Sequence, residues 1–434
     1  MKQDVKALFL NSFDVVTRSA HPDTVLPTSL PNPPSGMTYV IGAGKAAGAM
    51  AAAFERSYRG DMRGIVVTRY GHSVPTQHIT VREAAHPIPD AAGQAAVGEI
   101  IDLLAKAGPD DLIICLLSGG GSALLSAPVQ GVTFAEIQAL TNDLLKCGAS
   151  ITEINTVRKH LNIALGGGLA KAAGQAKIIT LAISDVTGDD PATIASGPTV
   201  ADPTTLDQAR DILTRYDLSP ARSILDALIN ADNETPKPDS PLFQNHEYRL
   251  IATGPKSLNA AAQFWTQQGF DTHILDPEIT GDTNDAATRH VQQILTMLAN
   301  GSAKPARRPL AILSGGETTV KVTGDGQGGP NAQFMLQACV ALNGHAGIYA
   351  MACDTDGIDG SADSAGAIIT PQTLARAAQS GLDAQSYLPR NDSYGFFDAL
   401  GDLVKTGPSH TNVNDYRVFL IFPEATAPSA PMAS

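Results

Sequence analysis

Short apolar runs and helical periods alternate along most of this chain. Val5, Leu8, Phe9 and Val15 fall on one face of a helix over about residues 3–19, and a Pro-rich loop follows from Pro22 to Pro34. Tyr39-Val40-Ile41 reads as a short strand, Gly42-Ala43-Gly44 as a turn, and residues 45–56 as an Ala-rich helix. Further strands are read at Ile65–Val67, Leu112–Leu117 and Ile178–Ile183, with a helix from Ala91 to Ala105. Strands separated by helices predict a parallel, doubly wound sheet. The stretch from Ala231 to His246 is polar, Pro-containing and without period, and reads as a linker. The alternation then restarts with strand Leu250–Ala252, helix Leu258–Gln267, strand Thr272–Leu275 and helix Ala286–Leu298. Strands at Leu310–Leu313 and Ile348–Met351 follow, and Val418–Phe422 closes a second α/β domain. Residues Ala425 to Ser434, rich in Ala, Pro and Ser, predict a disordered end.

Length and charge sharpen this picture. The chain has 434 residues, enough for two domains, and a formal net charge of -13. That charge argues against nucleic acid or an anionic membrane surface as partner. A small anionic ligand needs a local basic pocket against the overall field. The four cysteines, Cys115, Cys147, Cys339 and Cys353, have no CxxC spacing, so neither a zinc site nor a disulfide framework is indicated and a reducing cytoplasm fits. Met1-Lys2-Gln3-Asp4 leads into a polar–apolar helix rather than a signal segment, and no apolar run is long enough to span a bilayer.

Candidate chemistry gathers where strands end. Ser118-Gly119-Gly120-Gly121-Ser122 follows one apolar run, and Ser314-Gly315-Gly316-Glu317-Thr318-Thr319 follows another. Small residues at a strand tip leave backbone N–H groups free, and a helix starting there favours an anion. Gly42-Ala43-Gly44-Lys45-Ala46-Ala47 fits the dinucleotide pattern G-x-G-x-x-A, but no acidic residue ends the next strand. Arg69 stands there instead and suits a 2′-phosphate, which keeps an NADP-linked reductase open. Lys45 at a helix start either meets an anion or a transferring phosphoryl group, or is simply solvated. Asp185, Asp189 and Asp190 follow the strand Ile178–Ile183, and Ser196-Gly197-Pro198 comes shortly after. Carboxylates beside phosphate-type loops suggest Mg²⁺; the alternative is that Asp185 and Asp189 cap turns. Asp354-Thr355-Asp356-Gly357-Ile358-Asp359-Gly360 offers further carboxylates but lacks the closing Glu of a calcium loop. Arg158-Lys159-His160 suits a carboxylate substrate or forms a solvated helix face, and His86-Pro87-Ile88-Pro89-Asp90 is a rigid loop with one titratable ring. There is no G-x-x-x-x-G-K-[ST] phosphate loop and no G-x-S-x-G elbow.

Taken in order, these segments resemble the glycerate 2-kinase family, whose C-terminal half is called the MOFRL domain. The resemblance rests on Gly42–Ala47, His86–Asp90, Ser118–Ser122, Asn155–His160, Ser184–Asp190 with Ser196–Pro198, Ser314–Thr319, Asp354–Gly360 and Thr411–Asp415. It implies a Rossmann-like N-terminal domain over residues 1–235, a MOFRL-type α/β domain over 248–424, and an active site in the cleft between them. It also implies ATP-dependent phosphorylation of D-glycerate at its 2-hydroxyl, with Lys45 matching the family's catalytic lysine. In that scheme the glycine loops, with Gly42, Gly44, His86, Arg158 and Asp356, contact substrate or nucleotide. Asp189 serves Mg²⁺ or takes the hydroxyl proton, and Asp185 and Asp354 are further metal candidates. Members also carry the label hydroxypyruvate reductase, so a reductase stands as the alternative, as does a glycerate-binding protein without catalysis. The chain departs from the family twice: Pro330 stands where an Arg follows Gly328-Gly329, and Gly168 where a basic residue follows two glycines. Both remove positive charge, leaving Arg158, Lys256 or Lys321 to replace it. The oligomeric state stays open.

Overall fold

The computed structural model describes residues 4–301 and 308–423. The expected disordered end from Ala425 to Ser434 lies outside them. No helix among the described residues is long and apolar enough to cross a membrane. The chain divides into two compact units, Pro22–Ile251 and the described residues of Met1–His21 with Ala252–Ser434.

The Pro22–Ile251 unit is built on a six-stranded sheet in the order β3-β2-β1-β4-β5-β6. Its strands are β1 (Thr38–Ala43), β2 (Met62–Arg69), β3 (Ile79–Ala84), β4 (Leu112–Leu117), β5 (Lys177–Ile183) and β6 (Glu247–Ala252). β1 pairs in parallel with β2 and β4, β2 with β3, and β4 with β5. Every residue of β1 and β4 is buried, because helices cover both faces of such a sheet. Tyr39, Ile41 and Ala43 share one core with Ile113, Cys115, Leu117 and with Val97, Ile100 and Leu104 of the helix Ala91–Leu104. This is the doubly wound order, and its switch point lies between β1 and β4. The linker reading needs one correction: Leu250–Ala252 does not open the second domain's sheet but belongs to β6 at the edge of the first. β3, with its alternating exposure, has no counterpart among the expected strands.

The other unit carries a mixed six-stranded sheet, β11-β10-β9-β12-β8-β7. Its strands are β7 (Asp271–Ile279), β8 (Leu310–Gly316), β9 (Ile348–Asp354), β10 (Gly366–Ile369), β11 (Leu403–Val404) and β12 (Asp415–Ile421). β7 and β8 are parallel, whereas β12, last in the chain, inserts antiparallel between β8 and β9. All seven β12 residues are buried as a result. The N-terminal helix Val5–Ala20 belongs here rather than to the first sheet: Phe9, Phe13 and Val16 pack with Trp265 and Tyr416. Trp265 Nε1 donates to the Tyr416 hydroxyl at 2.9 Å, which donates to Ser12 at 3.2 Å, and Thr411 donates to the Ala20 carbonyl at 2.8 Å.

Candidate active site

At the switch point of the parallel sheet, the segments leaving β1 and β4 are bound to each other. The Lys45 N–H donates to the Gly119 carbonyl at 2.8 Å, the Ala46 N–H to Ser118 Oγ at 3.0 Å, and the Ser118 N–H to the Ala43 carbonyl at 3.1 Å. Thr68 holds the Lys45 carbonyl at 3.3 Å. The backbone of Lys45 is therefore positioned whatever its side chain does. Gly42 lies inside β1 rather than in the turn, where a Cβ would come within 2.1 Å of the Leu116 carbonyl oxygen. The helix begins at Ala47, two residues later than the sequence pattern suggests, so Lys45 precedes it.

The Ser118–Ser122 loop carries free donors. The N–H groups of Gly119 and Gly120 find no acceptor among the described residues, although Gly119 is buried. Buried orphan donors are rare and mark a place for a ligand oxygen. Gly120 has φ +81°, and a Cβ there would stand 2.7 Å from His86 Nε2, so the imidazole lies directly over the turn. Ser122 Oγ meets Ser196 Oγ at 2.8 Å, which brings the segment after β5 to the same place. Asp189, Ala195 and Ser196 in that segment have positive φ values of 53°, 50° and 57°. Such conformations cost about 1–3 kcal/mol each in non-glycine residues and persist where the surroundings impose them. Here the Gly166 N–H holds the Ser196 carbonyl at 2.9 Å.

The three acids after β5 separate by their hydrogen bonds. Asp190 caps the turn behind it, accepting from the Ala192 N–H at 3.2 Å and Thr193 Oγ1 at 2.7 Å. The half-buried Asp189 carboxylate accepts nothing among the described residues. Among those residues no group of three or more His, Cys, Asp or Glu side chains converges as a metal cage. A Mg²⁺ that arrives with phosphate oxygens needs only one or two carboxylates, not an all-protein cage.

The basic run Arg158-Lys159-His160 closes the helix Ile151–His160, and its members differ. Lys159 is buried against Asp202 at 3.4 Å, and Thr235 Oγ1 donates to the same acid at 3.1 Å. His160 is fully buried, with Nδ1 2.8 Å from the Thr156 carbonyl and Nε2 3.0 Å from Glu234. Lys237 joins Glu234 at 2.6 Å, and these partners hold its carboxyl down at about 2 despite burial. Arg158 is half-buried and has no acidic or hydrogen-bonding partner for its side chain among the described residues; desolvation alone pulls its pKa below the ordinary value. The helix C-terminus favours a cation by about 0.3–1 kcal/mol, while desolvating an ion costs several kcal/mol. Dipole attraction does not cover that cost. Gly168 cannot carry the expected basic side chain on this backbone, since a Cβ would lie 2.2 Å from the Ile163 carbonyl oxygen.

In the other unit, Ser314, Gly315 and Gly316 do not form a turn resembling Ser118–Gly120. They extend β8, with Ser314 and Gly316 paired to β7 and Ser314 also opposite Arg417 of β12. Glu317, just beyond, is exposed. Asp354 accepts the Asp356 N–H at 2.9 Å and Asp356 the Ile358 N–H at 2.8 Å, so both carboxylates shape their own loop. Beneath them is a buried network outside the expected set. Asp359 accepts the Asn331 and Ala332 N–H groups, each at 2.8 Å, and so caps the helix Pro330–Leu342. Asn331 Nδ2 donates to Asp415 at 2.6 Å, and Arg417 pairs with Asp415 while donating to the Gly315 carbonyl at 2.8 Å. Ser314 Oγ, Asn331 Oδ1 and Arg417 Nε have no partner there. An arginine within the apolar run Tyr416–Phe422 was the available signal for this network.

Burial, with the nearby Asp415 charge, pushes Asp359 up to about 7, against the donors of Asn331 and Ala332. The folded protein thus binds this proton more tightly than the unfolded chain. Its stabilisation is complete below about pH 4, the unfolded value, and is lost as pH rises to about 7. The single tryptophan, Trp265, is buried in this unit and reports its unfolding. Urea titrations followed by Trp265 fluorescence should show stability falling between pH 5 and pH 7.5, with a smaller fall in Asp359→Asn. An equal fall in both would assign the effect elsewhere.

Residues 8–229 match a family model described as a domain of unknown function, DUF4147, and residues 310–415 match the MOFRL family. A protein of Agrobacterium vitis provisionally named hydroxypyruvate reductase is 46% identical, covering 94% of this chain and 93% of its own. The D-glycerate 2-kinase of Thermotoga maritima is 37% identical, covering 96% and 99% respectively. A crystal structure of glycerate kinase from Thermotoga maritima superposes with a TM-score of 0.86 at 36% identity, covering 96% of this chain and 99% of that one.

Proposed function

Since the chain belongs to the glycerate kinase family that joins a DUF4147 region to a MOFRL region, we propose that it phosphorylates D-glycerate at the 2-hydroxyl, with ATP as donor, to give 2-phospho-D-glycerate. The observation that carries this reading is the pair of orphan N–H groups at Gly119 and Gly120, bonded through the Gly119 carbonyl to Lys45 at the switch point. Phosphoryl transfer needs positioning and charge neutralisation more than covalent chemistry. The two N–H groups hold oxygens of the moving phosphoryl group, and the Lys45 ammonium neutralises the charge that spreads over them. Mg²⁺, when bound, offsets charge on the donor phosphates, and Asp189 with Asp185 would hold it. Asp189 is also the carboxylate with no competing hydrogen bond, suited to take the hydroxyl proton. Asp354 and Asp356 rank behind it because their oxygens serve backbone N–H groups. All four cysteines are free and three are buried, which supports a reducing, cytoplasmic setting.

The reductase reading has less support. A dinucleotide site ends its second strand on an acid or, for NADP, a free arginine. Here Arg69 Nε is engaged with His72 Nε2 at 2.7 Å. Incubation with D-glycerate, ATP and Mg²⁺, followed by ³¹P NMR, should show the 2-phospho isomer. NADPH oxidation with hydroxypyruvate while ATP stays intact would refute the kinase.

The missing arginine at position 330 need not disable the enzyme. Pro330 occupies the first turn of its helix, where its lack of an N–H costs no hydrogen bond. The turn it opens is set by Asp359, whose oxygens hold the next two N–H groups. Pro330→Arg should therefore fold normally and change kcat by less than about threefold, a difference under 1 kcal/mol. A gain of tenfold or more would show that the wild-type site lacks a cation.

A further inference from the structure

Three basic residues follow one another at the end of the helix Ile151–His160, in a chain with 43 acidic residues against 30 Lys and Arg. Two of them turn inward and have their own acids, Asp202 for Lys159 and Glu234 for His160. These pairs fasten the helix end to the segments around Thr204 and Thr235, and Lys237 bonds both Glu234 and Thr235. Only Arg158 of the three has no partner among the described residues, although it is half-buried. The fastening fixes the backbone that carries Arg158 while keeping nearby acids occupied.

The chain leaving this helix runs beside the glycine loop's own continuation. The Val129 N–H donates to the Leu161 carbonyl at 3.1 Å, the Ile163 N–H to the Ala127 carbonyl at 3.0 Å, and Asn162 Nδ2 to the Leu125 carbonyl at 3.2 Å. The Gly166 and Gly167 N–H groups then meet the Ser196 and Gly197 carbonyls at 2.9 and 2.7 Å. The segment that leaves the Arg158 helix is thus tied to both sides of the Ser122–Ser196 contact.

We propose that Arg158 is the specificity-determining cation that binds the carboxylate of the acceptor, bidentately, while Lys45 and the glycine loop hold the phosphoryl group. The proposal rests on the D-glycerate reading. A planar guanidinium fork matches a carboxylate, and one unpaired cation matches an acceptor with one negative charge. A polyphosphate would call for more cations than this helix end leaves free. Discrimination follows from the same geometry, because a neutral polyol leaves the desolvated guanidinium unpaired.

The test combines calorimetric titration of the full chain with D-glycerate and turnover with D-glycerate or glycerol, in wild type, Arg158→Gln and Arg158→Lys. Arg158→Gln should weaken D-glycerate binding about 10- to 100-fold, the worth of a charge-assisted hydrogen bond. The kcat/KM preference for D-glycerate over glycerol should shrink by a similar factor, with the KM for ATP within about twofold. Arg158→Lys keeps the charge without the fork and should fall between. Unchanged D-glycerate affinity, equal losses for both acceptors, or a raised KM for ATP would each overturn the proposal. If wild type binds D-glycerate through Arg158 but transfers no phosphoryl group, the kinase reading fails and the carboxylate site stands. If Arg158→Gln does not fold, Arg158→Lys carries the comparison.

Discussion

Lys45→Ala lowers kcat for D-glycerate phosphorylation about 10²- to 10³-fold, the usual loss when one preorganised electrostatic partner is removed from a transition state. The fold survives, because the bonds that shape this turn run through the Lys45 N–H and carbonyl, both present in alanine. The melting temperature should stay within a few degrees, corresponding to about 1 kcal/mol or less. Substrate affinities should change less than kcat, since the role proposed for the ammonium is to meet charge that develops during transfer. Lys45→Arg should not restore full activity, as the guanidinium is larger and disposes its donors in a plane. An unchanged kcat in a folded Lys45→Ala protein would take this lysine out of the chemistry and remove the centre of the proposed mechanism.

Asp189→Asn is the second large expected loss, about 10²-fold or more in kcat/KM, and EDTA should abolish wild-type activity. Asparagine is the clean replacement here. Asp189 has φ 53°, a conformation that Asn tolerates nearly as well as Asp and that Ala resists. Asp189→Asn should therefore keep wild-type stability, while Asp189→Ala loses stability as well as activity. A Mg²⁺ titration separates the two roles of this carboxylate. Rescue at high Mg²⁺ marks a metal ligand, and loss without rescue marks the acceptor of the hydroxyl proton. Full activity of Asp189→Asn would exclude both, and full activity of wild type in EDTA would exclude the metal role.

The two glycine loops show how far local pattern reaches. Both are runs of Ser and Gly after apolar strands, and by composition they are equivalent. Ser118–Gly120 is a turn with free N–H groups because β4 ends beside β1, at the switch point. Ser314–Gly316 stays within β8 because β7 pairs with it as far as Gly316 and β12 flanks it at Ser314. Nothing local encodes that difference. The placement of β12 comes from residues a hundred positions downstream. The same holds for Asp185, Asp189 and Asp190: the pattern puts acids at a strand's end, and only the hydrogen bonds reveal that Asp190 is committed to a cap while Asp189 is not. For Arg158-Lys159-His160, three charges in a row imply a basic cluster, yet two are neutralised by Asp202 and Glu234 from elsewhere in the unit.

Periodicity was sufficient for the strand–helix alternation and for the small residues after β4 and the acids after β5, because each depends on neighbours within a turn or a strand, and the order of motifs along the chain was sufficient for the family. Tertiary structure decided the rest. It moved the helix Val5–Ala20 into the unit formed with the C-terminal half, where Phe9 and Trp265 share a core, and gave Leu250–Ala252 to the first sheet. It buried Arg417 against Asp415 and turned Asp359 into a helix cap near neutral pKa. These outcomes depend on pairing and desolvation between residues far apart in the chain. An amphipathic helix is equally content on either sheet, and a carboxylate's environment is set by the groups that close over it, which no local window contains.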